Sequence, residues 1–475
     1  MTEELKAPEN DGKKTERRLV STILQNGTIV EMVHRPEEGR TLFCLGTDNR
    51  VTYEKDLVVA GERVVPYSPQ NNLLQHEVVL LPSMAEEYGT EERLIGQVRD
   101  FIHRYVDLSP LFETMATYYI LLSWVYDAFN ELPYLRLRGD PGSGKTRGLL
   151  VIGSLCYKPI FASGASTVSP LFRILDTFRG TLVVDEGDFR LSDERAEIVK
   201  ILNNGNARGF PVLRTEVTTK HEFNPTAYEV FGPKLVATRG YFEDRALESR
   251  CLTEEMGQGR LRDDIPINHP AEVKVEARTL RNQLLMFRFR HRSRCRIDAG
   301  AVDRTLEPRL NQIFLPLVSV IEDEKARRQL QQLARLVSQD LVADRGLDTE
   351  AHVLEVIRDL QGTQPPRLSV KDITTWFADR HGEDYERKVT TKWIGSILRR
   401  RLHLRSEKSH GVYVLAESEG PRLRQLFERY GVDPEADPKD PGQAREIEAP
   451  VSQDLGDVGD LNEGPRVNGT ETPAG

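Results

Sequence analysis

The stretch that decides the fold is Gly139-Asp140-Pro141-Gly142-Ser143-Gly144-Lys145-Thr146, which fits the pattern G-x-x-x-x-G-K-[ST]. A short apolar run, Tyr134 to Leu137, precedes it, and a helix-like stretch from Gly148 to Ile152 follows. Strand, glycine loop and helix is the context in which this pattern cradles phosphates with backbone N–H groups and a helix N-terminus. A glycine-rich surface turn is the alternative interpretation.

The motif predicts a nucleotide site with ATP and Mg²⁺ as cofactors. Lys145 is expected to reach the β- and γ-phosphates, and the Thr146 hydroxyl is expected to bind Mg²⁺. The predicted cofactor-binding residues form one continuous segment: Gly139, Asp140, Pro141, Gly142, Ser143, Gly144, Lys145, Thr146 and Arg147.

A second apolar run, Thr181 to Val184, ends in Asp185-Glu186, and Asp185 follows Lys145 by 40 residues. A parallel strand beside the phosphate loop would carry both carboxylates to the nucleotide. Asp185 is predicted to hold the magnesium through water, and Glu186 to polarise the attacking water as the catalytic base. The alternative is a strand that ends in a solvated turn.

Composition places the chain among charged globular proteins. Its 475 residues suffice for two or three domains; 39% are hydrophobic, and the mean hydropathy is −0.47. No apolar run approaches the roughly 20 residues that span a bilayer, and Met1 to Lys6 lacks the apolar core of a secretory signal. The four cysteines form no C-x-x-C pair, which favours a reducing cytoplasm.

Negative charge is concentrated at the C-terminus. Residues 432–475 hold 11 acidic and 3 basic side chains, a net charge of −8, whereas the whole chain carries −9. The remainder is therefore close to neutral, and the acidic average does not argue against nucleic acid as a partner.

Periodicity and composition predict seven segments along the chain. They are a disordered arm (1–16), a small β-rich domain (17–85), a helical segment (86–130), a P-loop core (131–265), a helical lid or linker (266–360), a winged-helix-like domain (361–431) and an acidic disordered tail (432–475).

The winged-helix prediction rests on two helices followed by two short strands. The helices run through Trp376 and through Trp393, and the strands are expected at Leu402–Leu404 and Gly411–Leu415. Residues 367–415 hold 11 basic and 6 acidic side chains. Lys392, Arg399 and Arg400 are predicted to contact DNA, although many winged helices bind protein instead.

The order of elements after the phosphate loop resembles that of the AAA+ superfamily. Thr238 ends another apolar run, where its hydroxyl could contact the γ-phosphate or the lytic water, and Ala246-Leu247-Glu248-Ser249-Arg250 resembles the Ala-Leu-x-Ser-Arg stretch of minichromosome maintenance helicases. The phrases Tyr134–Leu137, Phe231–Lys234 and Arg281–Leu285 resemble primase–helicase-like ATPases of phages and mobile elements. No primase-type carboxylate cluster is visible in residues 17–81.

The resemblance implies a homo-oligomer, such as a ring, in which Arg250 reaches the ATP of a neighbouring subunit as an arginine finger. A surface or ion-paired arginine is the alternative, and Arg245 is the second candidate. It also implies that Arg208 and Phe210 lie in a loop facing a central pore, the alternative being an ordinary connecting loop. Arg281 is a weaker candidate for a second sensor and is expected to be a solvated helix residue.

The sequence thus predicts an α/β P-loop NTPase of AAA+ type with a small N-terminal β-rich domain and a C-terminal winged helix. The leading function is Mg-ATP hydrolysis coupled to a DNA helicase or translocase, without a membrane partner. An ATP-gated switch that binds DNA or protein without unwinding is the second hypothesis. The third is a DNA-binding adaptor that holds ATP structurally, against which Glu186 argues.

Overall fold

The computed structural model describes residues 16–47, 50–163, 168–185, 193–215, 225–242, 244–257, 259, 261–346, 349–363, 368–382, 389–409 and 411–432. The chain forms two compact units, residues 1–341 and 342–475. Glu186 and the acidic tail beyond Val432 lie outside the described residues.

Short β-rich runs separated by turn residues form the first seven strands. They are β1 (Arg17–Arg18), β2 (Ser21–Ile23), β3 (Ile29–Arg35), β4 (Arg40–Gly46), β5 (Val51–Glu54), β6 (Leu57–Val59) and β7 (Glu62–Val65). β2 to β5 form an antiparallel sheet in chain order, and β1-β7-β6 form a second sheet. Gly27 has a φ of +83° in the turn between β2 and β3.

The antiparallel sheet is fixed to the rest of the first unit by packing and by buried charge. A Cβ at Gly46 would lie 2.1 Å from the Phe289 ring, so only glycine permits this approach. Glu31, which is 1% exposed, pairs with Lys158 Nζ at 2.8 Å and with Arg288 Nε at 2.7 Å. Burial lowers the pKa of Lys158 to about 8, against the opposing effect of Glu31.

Three helices lead from the sheets to the nucleotide motif: α1 (Asn72–Gln75), α2 (Glu91–Tyr105) and α3 (Pro110–Val125). Thr90 and Ser109 cap α2 and α3 through their hydroxyls, and Pro110 begins α3 at a position where its missing N–H has no cost. Nearly all of α3 is buried, so this part of the predicted helical segment is a core helix.

A five-stranded parallel sheet forms the centre of the first unit. Its strands are β8 (Tyr134–Arg138), β9 (Ile160–Ser163), β10 (Leu182–Asp185), β13 (Lys234–Thr238) and β14 (Cys251–Glu255). The antiparallel pair β11 (Val212–Arg214) and β12 (Thr226–Tyr228) lies outside it, and the connecting helices are α4 (Lys145–Leu155), α5 (Val168–Phe178), α6 (Asp193–Asn204) and α7 (Arg245–Glu248). The parallel sheet confirms the predicted α/β class.

The strand order is β14-β8-β13-β10-β9. The strand that ends at Asp185 is parallel to the strand of the phosphate loop, as predicted, and β13 lies between the two and pairs with both. Local patterns identify buried strands but do not encode which strand is inserted between two others. All five carboxyl ends still lie at one edge, where open α/β sheets bind their ligands.

The helical region after the sheet comprises α8 (Glu272–His291), α9 (Pro308–Val320) and α10 (Glu324–Gly346). The second unit contains α11 (Thr349–Gln361), α12 (Val370–His381), α13 (Thr391–Ser396), a π-helical turn (Ile397–Arg401), β15 (Ser406–Ser409), β16 (Val412–Leu415) and α14 (Gly420–Tyr430). α11 and α14 contribute to its core together with α12 and α13.

The first strand of the second unit's hairpin lies later than predicted. Leu402 and Leu404 are buried in the core, and His403 has a φ of +53°, which interrupts an extended strand. The strand consists instead of the polar residues of β15, which pair with β16. In the part of the chain that the structure describes, no helix is long and apolar enough to cross a membrane.

Candidate nucleotide site

The glycine loop lies at the carboxyl edge of the central sheet, between β8 and α4. Gly142 and Gly144 have φ values of +83° and +92°, which side chains with a Cβ rarely adopt. A Cβ at Gly148 would lie 2.5 Å from Leu137 Cδ1, so this glycine allows α4 to pack closely on β8. The predicted sequence of strand, loop and helix is therefore present.

Lys145 is the first residue of α4, and its ammonium lies within the curve of the loop. Nζ donates hydrogen bonds to the carbonyl oxygens of Gly139 at 2.6 Å and Asp140 at 2.7 Å, and it lies 3.4 Å from Ser143 Oγ. The side chain is only partly buried. A cation at this place can bind the charged oxygens of a phosphate chain.

Thr146 and Asp185 meet although 39 residues separate them in the sequence. The Thr146 hydroxyl donates to Asp185 Oδ2 at 2.8 Å, joining the start of α4 to the end of β10. Hydroxyl and carboxylate oxygens are hard ligands of the kind that Mg²⁺ prefers, either directly or through its bound waters. The donor set therefore fits a magnesium ion beside the loop.

Thr238 ends β13, the strand between those that carry the loop and Asp185. Its carbonyl accepts a hydrogen bond from Gly139 N at 3.2 Å, which ties the loop to this strand. The side chain is 2% exposed, and Oγ1 has no hydrogen-bond partner among the described residues. An unsatisfied buried hydroxyl costs free energy, which a phosphate oxygen or water at this edge would offset.

Sequence analysis did not detect the segment that packs behind the loop. Met256 N donates to Arg138 O at 2.6 Å, and a Cβ at Gly139 would lie 2.6 Å from Met256 O. A Cβ at Gly257, where φ is +81°, would lie 2.7 Å from Ser143 Cβ. The pair Met256-Gly257 thus supports the loop, and the mixed sequence of the preceding strand β14, Cys251–Glu255, gave no signal of this.

Arg147 was predicted to contact the nucleotide, but its guanidinium binds backbone carbonyls. Nη1 donates to Pro266 O at 2.7 Å and to Tyr105 O at 3.3 Å, and Nη2 donates to Ile267 O. The side chain therefore links the start of α4 to the end of α2 and to the segment before α8. A contact of Arg147 with nucleotide would have to come from its backbone.

Arg250 lies at the opposite edge of the sheet from the loop. Arg250 precedes Cys251, which pairs with Tyr134 at the beginning of β8, whereas Arg138 at the end of β8 precedes the loop. Five residues of strand correspond to about 16 Å. Arg250 is therefore far from the loop of its own chain.

Asn203 holds the Arg250 guanidinium, and Asp244 in turn binds the Asn203 amide. Nη1 donates to Asn203 Oδ1 at 2.6 Å and to Asn203 O at 3.0 Å, and Asn203 Nδ2 donates to Asp244 Oδ2 at 2.6 Å. Burial lowers the pKa of Arg250 from its ordinary value. Its Nε is buried and without a hydrogen-bond partner in the described residues.

The segment that carries Arg250 is fixed to the sheet by an ion pair that the sequence did not reveal. Arg136, 1% exposed on β8, donates from Nη1 to Glu248 Oε2 at 2.6 Å and also contacts Oε1. Its Nε donates to Thr253 Oγ1 at 3.0 Å. Such a bidentate pair defines the orientation of α7 relative to β8.

The two residues of the predicted pore loop lie in different environments. The Arg208 guanidinium donates to the carbonyls of Phe129 and Asp127, both at 2.9 Å, and lies over the Phe231 ring. Phe210 is 62% exposed. Of the two, Phe210 has its side chain available for a partner.

In the second unit, the three predicted DNA contacts are all exposed. Lys392 lies on α13, and Arg399 and Arg400 lie on the turn that continues it. Arg399 Nε donates to Gly395 O at 3.1 Å, a bond within the same helical segment. The positive groups therefore project from one continuous element that begins at the Thr390 cap.

No protein-family model and no curated protein matches the sequence. Solved structures that the comparison matched include the apo C-terminal region of NrS-1, at 12% identity over 81% of this chain and 95% of that chain, with a TM-score of 0.33. The SCCmec type IV Cch helicase has 11% identity over 88% and 80%, with a TM-score of 0.38, and JCV helicase has 14% over 53% and 62%, with a TM-score of 0.23. These TM-scores are all below 0.5, so the similarities decide neither fold nor function.

Proposed function

We propose that this protein hydrolyses Mg-ATP at the carboxyl edge of its central sheet. The observation that carries the proposal is the 2.8 Å hydrogen bond between Thr146 and Asp185, which brings two motifs 39 residues apart to one place beside Lys145. A glycine-rich surface turn would not require this partner. The unsatisfied hydroxyl of Thr238 at the same edge supports the assignment.

Each residue of the proposed site has a separate role in ATP hydrolysis. Backbone N–H groups of the loop and Lys145 bind the phosphates, while Thr146 and Asp185 hold the magnesium ion, which neutralises charge on the phosphate oxygens when it is bound. Thr238 orients the γ-phosphate or the attacking water. Glu186, which directly follows Asp185 in the sequence, accepts the proton of that water.

We also propose that hydrolysis is coupled to work on nucleic acid by a homo-oligomeric helicase or translocase. The exposed Phe210 in the first unit offers an aromatic surface to unpaired bases, and the exposed cations of α13 in the second unit offer phosphate contacts. The distance of Arg250 from its own loop fits a residue that completes the site of a neighbour.

The test is an ATPase assay of the full chain with no nucleic acid, with single-stranded DNA and with duplex DNA, followed by strand displacement. We expect turnover that DNA stimulates and that Lys145→Ala abolishes, while Lys200→Ala, at an exposed lysine of α6, retains it. Stimulation without displacement would favour the ATP-gated switch. An absence of any ATP turnover would overturn the proposal.

A further inference from the structure

A cavity of the first unit is lined by residues of α4 but by none of the nucleotide loop. Its volume is about 910 Å³, within the range of pockets that hold small organic molecules. The wall comes from the first antiparallel sheet, from the segment around α1, from α4 and β9, and from the first half of α8. Its apolar part includes Leu74, Val79, Leu150, Phe161 and Val273.

Arg281 of α8 lines this cavity and is 6% exposed. The structure overturns the expectation of a solvated helix residue, because Nη1 donates to Ser154 O at 2.7 Å in the interior. This carbonyl is its only hydrogen-bond partner in the described part of the chain, and Nε is buried without one. Burial lowers the pKa of Arg281 to about 10, so the guanidinium remains charged at neutral pH.

Arg288, two turns further along α8, shows how the same fold neutralises a buried guanidinium. It pairs with Glu31 at 2.7 Å and with both carboxylate oxygens of Asp127 at 2.9 Å. Arg281 forms no ion pair with any carboxylate among the described residues. A buried charge that only a carbonyl satisfies is costly, and an anion entering the cavity would provide the missing partner.

The other charged groups of the cavity wall do not neutralise the positive charge of Arg281. Lys274 pairs with Glu77 at 2.5 Å, and Arg278 pairs with Glu37. The remaining titratable lining residues are His34, His76 and His269. Because the two outer cations already have carboxylate partners, the uncompensated positive charge is that of Arg281, beside an apolar wall.

We propose that this cavity binds an amphipathic organic anion, with Arg281 pairing its acidic group and the apolar wall covering its body. A carboxylate on an aliphatic chain and a phosphate on a nucleoside share this chemistry. The site is separate from the proposed ATP site and does not depend on it.

The test uses the dye 8-anilinonaphthalene-1-sulfonate, an anionic group on an aromatic body, titrated into the full chain in excess ADP. We expect saturable binding that Arg281→Met weakens about tenfold or more, the effect of losing one hydrogen bond between charged groups. Arg328→Met, at an exposed arginine of α10 outside the cavity, should leave the affinity unchanged. Competition by decanoate and by AMP identifies which acidic group the cavity prefers.

A second variant tests dye binding in the cavity even if Arg281→Met does not fold. Leu150 lines the cavity and is 46% exposed, so Leu150→Trp should fill the space without disturbing the core. We expect it to abolish dye binding while circular dichroism and thermal melting stay as in the wild type. Unchanged dye affinity in a folded Leu150→Trp variant, or in a folded Arg281→Met variant, would overturn the proposal.

Discussion

Three lysines of the first unit illustrate how environment separates functional from structural cations. Lys145 is only partly buried, and its ammonium lies within the glycine loop. Lys158 is 1% exposed and paired with Glu31. Lys234 is fully buried, and its ammonium donates to the carbonyls of Val230 and Gly232, at 2.9 and 2.8 Å. Only the first can reach a ligand.

The buried ammonium of Lys234 predicts a pH-dependent stability. Burial lowers its pKa to about 7 from an unfolded value of 10.5, so between these values the unfolded chain binds more protons and stability rises with pH. Lys234→Met lacks this titration. The free energy of unfolding of the wild type should therefore rise relative to the variant by up to about 1.4 kcal/mol per pH unit.

Thermal melting of both proteins at several pH values between 7 and 10 measures this difference, because all other titrations cancel in the comparison. A difference in unfolding free energy that stays constant across this range would show that Lys234 keeps its proton in the folded protein.

Glu186 carries the prediction that separates hydrolysis from binding. Glu186→Gln preserves the size of the side chain but removes the base, so we expect ATP affinity to change little while kcat falls about 100-fold or more. Calorimetric ATP titration and steady-state turnover measure the two quantities. Asp185→Asn is the comparison, since it should weaken magnesium-dependent binding as well. Normal turnover per bound ATP in Glu186→Gln would assign the base elsewhere.

At the scale of elements, the two edges of the central sheet carry different candidate site residues. The carboxyl edge brings together the loop, Asp185 and Thr238, while the amino edge carries Arg250 held by Asn203. Because about 16 Å of strand separates Arg250 from the loop, one chain cannot supply both halves of a site that needs this arginine. This arrangement favours sites shared between subunits.

Subunit mixing tests the shared site. Arg250→Ala should leave ATP affinity nearly intact while turnover falls, because an arginine finger acts mainly on the transition state. Adding Glu186→Gln subunits to Arg250→Ala subunits should restore part of the turnover, since one kind of interface again has both groups. Arg245→Ala, the second candidate, is the matched control. Failure to restore activity in a preparation shown to exchange subunits would contradict a shared site.

The sequence predicted elements whose signal is local and missed relations that depend on distant residues. The glycine loop and the apolar runs of β8, β10 and β13 could be predicted because their patterns are short and buried. Tertiary packing decides that β13 lies between β8 and β10. It also decides that Arg147 donates hydrogen bonds to the carbonyls of Pro266 and Ile267. The strand β15 consists of polar residues, so its sequence has no apolar pattern that predicts a strand. Leu402 and Leu404, which precede it, were predicted to form the strand but are buried in the core instead.

At the scale of the whole molecule, the chain divides into a first unit with the proposed ATP site and a second unit with its own core. The core of the second unit includes buried residues of α11 and α14. A fragment limited to residues 367–416 would expose that core, whereas residues 342–432 retain it. The second unit can therefore be tested for nucleic-acid binding as the longer fragment.

The last prediction is that residues 342–432 bind duplex DNA with an affinity that falls steeply with salt. Lys392→Glu with Arg399→Glu should weaken binding strongly and reduce the salt slope by about two phosphate contacts, because both side chains are exposed on one element. The matched control is Arg422→Glu with Arg429→Glu, which changes the charge equally at exposed positions of α14.

In the full chain, deletion from Asp433 removes a net charge of −8 and should tighten binding. A salt titration of each protein on one duplex measures these effects. Equal weakening by both double variants would indicate a response to overall charge, and a folded fragment that binds no duplex at about 50 mM salt would assign the second unit to protein binding.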